Sequence, residues 1–191
     1  MPKLWTETID AHRTALRDAI LDATATLVAE HGLVGLTMSQ IADRAGIGRA
    51  TLYKYFPDAQ AVVAAWHERQ LTRHLEQVRA AADPAVPAAD RLQAVLRAYA
   101  QLRHASHAHH DSDAALALHE TRHADQAHQT LRGFVRDLIT EGARAGQLRS
   151  DVSADELAAY CLAALNAAVA LPSRAAVDRL VKVTAAGLKD S

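Results

Sequence analysis

Residues 37–56 read TMSQIADRAGIGRATLYKYF, and this stretch decides the fold of the first part of the chain. Thr37 and the glutamine three residues later have the spacing of a capping box, which predicts the start of a short helix. Gly46 ends that helix, and a turn through Gly48 leads to a second short helix before Pro57, because proline cannot continue a helix. The pattern predicts a helix-turn-helix unit.

The second of these helices carries side chains suited to contact DNA. In a helix-turn-helix unit the second helix lies in the major groove, so its outward residues reach bases and phosphates. An arginine at its start can bond both acceptors of a guanine edge, whereas tyrosine and lysine typically hold phosphates. The residues concerned are Arg49, the small Ala50, Thr51, Tyr53, Lys54 and Tyr55. The alternative is a plain helical hairpin in which Tyr53 and Tyr55 are packing residues.

The composition indicates an all-helical chain of one compact domain, or of a small domain joined to a larger one. Half of the 191 residues are apolar, and only 8 glycines and 5 prolines are present to break helices. Apolar residues at helical spacing, divided by these breakers, predict about nine helices. The first is expected over residues 13–31 and a short one near residues 113–123, and a second capping box of Ser153 and Glu156 predicts a helix that runs to residue 171. The formal net charge of −1 excludes general attraction to nucleic acid or to a membrane surface, so any DNA contact must be local.

Neither a signal peptide nor a membrane-spanning segment is predicted. The most apolar stretch, residues 157–171, has 15 residues, fewer than the roughly 20 needed to cross a bilayer. We therefore expect a cytoplasmic protein without a membrane partner. The single cysteine, Cys161, excludes an intramolecular disulfide, and its apolar surroundings predict a buried structural thiol.

Histidines are concentrated in the middle of the chain, where seven of the eleven lie between His104 and His128. Residues 119–123, HETRH, match the HExxH pattern in which two imidazoles hold zinc and the glutamate acts as general base. The longer form of this motif needs glycine and histidine where the chain has Gln126 and Gln129, so no enzyme and no cofactor are predicted. Two interpretations stay open: a solvated surface, or a metal-sensing site whose candidate ligands are His104, His107, His119 and His123.

Residues 35–58, GLTMSQIADRAGIGRATLYKYFPD, resemble the DNA-binding region of the TetR family of bacterial transcription regulators. Residues 141–158 are more weakly similar to the segment that joins the seventh and eighth helices in many members. The resemblance implies an all-helical repressor with a DNA-binding domain over residues 1–57 and a ligand-binding and dimerisation domain over residues 58–191. It also implies a homodimer on a palindromic double-stranded operator and release by a small-molecule effector, which the sequence does not identify.

The resemblance assigns DNA contacts residue by residue, and two positions depart from the family pattern. A lysine common at the start of the fourth helix is Ala59 here, and a common serine is Gly48. The cations of the N-terminal segment, Lys3, Arg13 and Arg17, are candidates to replace the missing phosphate contact. The positions that match the family's DNA contacts are Thr37, Arg49, Ala50, Thr51, Tyr53, Lys54 and Tyr55.

Ligand and dimer contacts are implied for the later helices. An effector pocket enclosed by the fourth to eighth helices is expected to be mostly apolar with a few polar groups. Its candidate residues are Trp66, Tyr99, His119, Glu120, Phe134, Tyr160 and Asn166. The dimer is expected to form through the apolar faces of the last two helices, with contacts at Leu157, Cys161, Leu165, Val177, Leu180, Val181, Thr184 and Leu188.

Overall fold

The computed structural model describes residues 3–33, 35–105 and 121–189, with side chains from residue 11 onward and, in the last stretch, from residue 125. These residues form eight α-helices and no strand, which confirms the all-helical prediction. None of the described helices is long and apolar enough to span a bilayer. The helices are α1 (Lys3–His31), α2 (Met38–Ala45), α3 (Arg49–Tyr53), α4 (Ala59–Ala80), α5 (Ala88–Ala105), α6 (Thr121–Arg144), α7 (Ala154–Asn166) and α8 (Arg174–Ala186).

The described residues form two compact units, which part within α4 between Gln70 and Leu71. The first unit contains α1, α2, α3 and the beginning of α4. The second contains the rest of α4 and the helices that follow. The boundary predicted between residues 57 and 58 from the resemblance stays a prediction.

The first unit is held together by apolar side chains from all four of its helices. Those most deeply buried come from α1, α2, α3 and α4 and include Ile20, Ile41, Leu52 and Val62, each 0% exposed. Fully burying such a side chain contributes about 1.5–3 kcal/mol. The helix-turn-helix pair is therefore fixed onto α1 by its apolar side, which includes Ile41 and Leu52.

The ends of α2 and α3 follow the sequence signals. The backbone N–H of Gln40 donates to Oγ1 of Thr37 at 3.3 Å, and the backbone N–H of Thr37 donates to Oε1 of Gln40 at 2.9 Å, so the capping box is present. Gly46 has φ of 68°, a left-handed conformation that favours glycine. Gly48 is the N-cap of α3, and because glycine has no side chain, this helix start lacks a capping hydrogen bond from a side chain.

The second unit packs around α5, which contacts α6, α7 and α8. Its core includes the fully buried Leu96, Ile139, Leu162 and Val181. Ser153 and Glu156 form the second predicted capping box at the start of α7. Among the described residues of this unit, ion pairs that join neighbouring helices include Arg91–Glu141, Arg132–Asp155 and Arg97–Asp178.

Several helix bounds differ from the predicted ones. α1 begins at Lys3 and not near Arg13, because a helix once nucleated extends at little cost through residues without an apolar stripe. α3 ends at Tyr53, although the N–H of Phe56 still bonds the carbonyl of Leu52 at 3.0 Å. α7 ends at Asn166 and tightens into a 3₁₀ turn over Ala167–Ala170. A short helix is predicted near residues 113–123. Residues 113–120 lie outside the described residues, and residues 121–123 belong to α6.

Removing the cap of α2 should destabilise the first unit. We expect Thr37→Ala to lower the free energy of unfolding by about 1 kcal/mol, because an alanine leaves an N–H of the first turn without its acceptor. Urea denaturation followed by circular dichroism measures this change. The matched control is Thr26→Ala, which removes an exposed α1 hydroxyl bonded to the Asp22 carbonyl at 3.0 Å and should change the free energy by less than about 0.5 kcal/mol. Equal stability of both variants would contradict the role given to the cap.

Candidate nucleic-acid interface

α3 presents its polar side chains to solvent because a single buried residue anchors it. Leu52 is 0% exposed within the core of the first unit. Tyr53 is 55% exposed. Arg49, Ala50 and Lys54 are exposed as well, while Thr51 and Tyr55 are half-buried. The predicted DNA contacts of α3 are thus brought together on the surface, with Tyr55 also packing against the core.

Thr37 differs from the other predicted contacts because its hydroxyl is already engaged. Its Oγ1 accepts from the N–H of Gln40 and donates to Oε1 of Gln40 at 2.8 Å. Thr37 is exposed at the N-cap of α2. Its O–H would have to break the bond to Oε1 of Gln40 before it could donate to a phosphate.

The arginines of the first unit are not alike in their partners. Arg44 of α2 makes two bonds to the Glu30 carboxylate of α1, at 3.0 and 2.6 Å, and this contact lowers the pKa of Glu30. Arg69 of α4 donates to Asp22 at 2.8 Å. Arg49 instead donates from Nη1 to the neutral Oγ of Ser39 at 3.3 Å. The positive charge of Arg49 therefore stays uncompensated by this bond, whereas the charges of Arg44 and Arg69 are paired.

A further cation lies near the end of α3. The guanidinium carbon of Arg17, on α1, is 5.8 Å from the centroid of the Phe56 ring, a cation–π distance. Phe56 follows Tyr55 directly and is 5% exposed, so its ring is a fixed support for the Arg17 side chain. Arg17 itself is exposed.

Two family profiles match the chain. The profile of bacterial regulatory proteins of the tetR family matches residues 20–65, the region that contains α2 and α3. The profile of the C-terminal domain of SbtR-like transcriptional regulators matches residues 88–190, more than half of the chain. The chain belongs to the TetR family of bacterial regulatory proteins. The family consists of regulators, which agrees with the prediction that the chain is not an enzyme.

Curated relatives match this TetR-family chain over part of their length. An uncharacterized HTH-type transcriptional regulator of Mycobacterium tuberculosis is 35% identical over 88 residues, which cover 46% of this chain and 44% of that protein. The HTH-type transcriptional regulator AlkX of the same organism is 34% identical over 74 residues, covering 39% and 35%. The chain thus matches less than half the length of these relatives.

Solved structures share the fold of the TetR-family chain over most of its length. A TetR/AcrR-family regulator from Thermobifida fusca has a TM-score of 0.76 at 18% identity, covering 91% of this chain and 98% of that one. The regulator FadR of Bacillus subtilis, solved with stearoyl-CoA, has a TM-score of 0.66 at 17% identity, covering 89% and 98%.

The candidate ligand residues that the structure describes have different surroundings, and the pocket they were expected to share stays a prediction. The hydroxyl of Tyr99, on α5, donates to Oδ1 of Asn166 at 2.9 Å, and burial raises the pKa of Tyr99. Phe134 lies 5.8 Å from the guanidinium carbon of Arg79. Tyr160 is 46% exposed. Trp66 belongs to the first unit and packs against its core, while His119 and Glu120 lie outside the described residues.

The predicted dimer residues need a correction. Seven of them are buried in the chain's own core, and Leu180 packs against that core. The apolar periodicity of α7 and α8 indicates a buried face, and in the structure that face packs against the chain's own core. We therefore expect any contact of α7 and α8 with a second copy on the opposite faces of these helices. The residues that the structure assigns to the chain's own core, and not to a dimer interface, are Leu157, Cys161, Leu165, Val177, Leu180, Val181, Thr184 and Leu188.

The structure gives the metal-sensing interpretation no support. His104 is held by a bond between its Nδ1 and the carbonyl of Ala168 at 3.2 Å. His107 and His119 lie outside the described residues, as does the side chain of His123. Among the side chains that are described, no three histidine, cysteine or acidic residues are grouped closely enough to hold a metal ion.

Cys161 is buried as predicted, and burial raises the pKa of its thiol to about 12. Because the thiolate is the reactive form, we expect the native chain at pH 8 to react with a thiol reagent about 100-fold more slowly than the urea-unfolded chain. Absorbance of the released thiol chromophore measures both rates. Similar rates in the two states would contradict the burial of Cys161.

Proposed function

We propose that the chain is a transcriptional repressor that binds double-stranded operator DNA as a homodimer and is released by a small-molecule effector. The observation that carries this proposal is α3, which buries Leu52 and leaves Arg49, Tyr53 and Lys54 exposed. These are the outward side chains expected of a helix that lies in the major groove. Two such helices would enter successive grooves of a palindrome, about 34 Å apart. The proposed place of action is the cytoplasm.

The proposed contacts divide by chemistry. Arg49 is assigned to the edge of a guanine, because an arginine can donate to both of its major-groove acceptors. Tyr53 and Lys54 are assigned to phosphates, which fix the position of the helix but carry no sequence information. Arg17, held over the Phe56 ring, is assigned the phosphate contact that the lysine absent at Ala59 would otherwise make.

Loss of a phosphate contact should weaken binding to every sequence. We expect Lys54→Ala and Arg17→Ala each to lower DNA affinity about equally for a selected operator and for unrelated duplex, and to reduce the slope of log K against log salt by about 1. Fluorescence anisotropy from low to moderate salt, with a binding sequence selected from a random duplex pool, measures both quantities.

Arg144→Ala is the matched control, since it removes an exposed cation at the end of α6 in the second unit. Its salt slope should equal that of the wild type. If the salt slope were unchanged in Arg17→Ala and reduced in Lys54→Ala, only the phosphate contact assigned to Arg17 would be contradicted.

Exposed apolar side chains on the outer faces of α7 and α8 support the proposed homodimer. Val183 is 68% exposed and Tyr160 is 46% exposed. A Cβ on Gly187 would lie 3.4 Å from the Tyr160 hydroxyl, so the Tyr160 side chain of α7 reaches the residue directly after α8. A patch shared by two packed helices can face its own copy across a two-fold axis, which is the commonest symmetry of oligomers.

A charge in this patch should separate the subunits. We expect Val183→Asp to raise the dimer dissociation constant by at least about 100-fold, because an isologous interface receives the buried charge twice. Analytical ultracentrifugation over a concentration series measures the change. Val86→Asp is the control, since Val86 is 39% exposed outside α7 and α8. A dimer that survives Val183→Asp would contradict this interface.

The proposed effector site lies in the second unit, near the bond between Tyr99 and Asn166. A half-buried phenol and an amide are polar groups of the kind that orient a ligand in a mostly apolar pocket. α4 is continuous from residue 59 to residue 80, so it carries residues of both units on one helix. We assign to α4 the coupling between effector binding and DNA binding. The coupling free energy is expected to be about 1–3 kcal/mol, and it is reciprocal, so DNA weakens effector binding by the same factor as effector weakens DNA binding.

A further inference from the structure

The bond between Arg49 and Ser39 links the first residue of α3 to the first turn of α2. Nη1 of Arg49 donates to Oγ of Ser39 at 3.3 Å. Ser39 is half-buried, while Arg49 is exposed. Ser39 has no local sequence pattern that indicates this bond, because its partner lies ten positions further along the chain.

Ser39 stands on a helix that is itself firmly held. Ile41 and Ala42 of α2 are both 0% exposed, and the capping box fixes the start of the helix directly before Ser39. Arg44, one turn further, forms two bonds with Glu30 of α1. A hydroxyl on such a helix is a fixed acceptor, in contrast to one on a loop.

The bond leaves Arg49 able to recognise a base. A guanidinium has five N–H donors, and one bond to Ser39 leaves the second terminal nitrogen and Nε free to address a guanine edge. The acceptor is neutral, so it restricts the rotamers of Arg49 without compensating its charge. A carboxylate at the same place would have done both, as Glu30 does for Arg44.

We propose that Ser39 is a positioning residue for base recognition, which orients the Arg49 guanidinium toward one guanine in each half-site. The inference rests on the proposed DNA-binding function. In this arrangement Ser39 affects binding only through Arg49. Its loss therefore reduces the preference for that base and leaves the attraction to DNA in general unchanged.

The test is a double-mutant cycle on DNA. Anisotropy titrations compare wild type, Ser39→Ala, Arg49→Ala and the double variant on a selected operator, on operators with single base-pair changes, and on unrelated duplex. We expect Ser39→Ala to weaken operator binding about 3- to 10-fold, as loss of one hydrogen bond does. Discrimination at one base pair should fall by the same factor, and affinity for unrelated duplex should stay within about twofold.

Two controls separate positioning from folding. Ser39→Thr keeps the hydroxyl and should retain wild-type discrimination, while Thr26→Ala removes an exposed hydroxyl of α1 and should leave all affinities unchanged. In the Arg49→Ala background, Ser39→Ala should have no further effect. The melting temperatures of all variants are recorded alongside.

Each outcome has a separate meaning. An effect of Ser39→Ala that persists in the Arg49→Ala background, or that is equal on operator and unrelated duplex, would overturn the inference and leave the proposed function standing. Unchanged discrimination in Ser39→Ala would also overturn it. A wild-type chain that selects no sequence from the random pool would overturn the proposed function, and with it the inference.

Discussion

The burial of Leu52 is the contact on which the proposed DNA-binding surface depends. α3 has only five residues, far fewer than the roughly 12–15 at which an isolated helix becomes marginally stable in water. It persists because Leu52 is fully buried in a core to which α1, α2 and α4 also contribute. The same contact that makes the helix possible leaves Arg49, Tyr53 and Lys54 on its outer side.

Charge is distributed locally, which explains how a chain with a formal net charge of −1 can be suited to a polyanion. Within the first unit, Arg44 and Arg69 are paired with carboxylates, and those pairs join helices. Arg17 and Arg49 instead contact an aromatic ring and a hydroxyl, which support the side chains without compensating their charge. The charges of Arg17 and Arg49 are therefore retained, whereas those of Arg44 and Arg69 are compensated.

The local signals of the sequence predicted the fold well, and the long-range contacts could not be predicted. Two capping boxes and Gly46 predicted where helices begin and end, because caps depend on residues within one turn. The apolar stripes of α7 and α8 were assigned to a dimer, since periodicity shows that a face is buried but not which surface covers it. Contacts such as Tyr99–Asn166 join residues far apart in sequence and have no local pattern to indicate them.

The proposed function requires two copies of α3 in successive major grooves of one palindromic site. Hydroxyl-radical footprinting combined with methylation interference at guanine N7 and adenine N3, on a duplex selected by the chain from a random pool, tests this arrangement. We expect two equivalent sets of protected positions about one helical turn apart, with interfering guanine N7 atoms at the centre of each set. A single protected set, or interference only from adenine N3 in the minor groove, would overturn the arrangement.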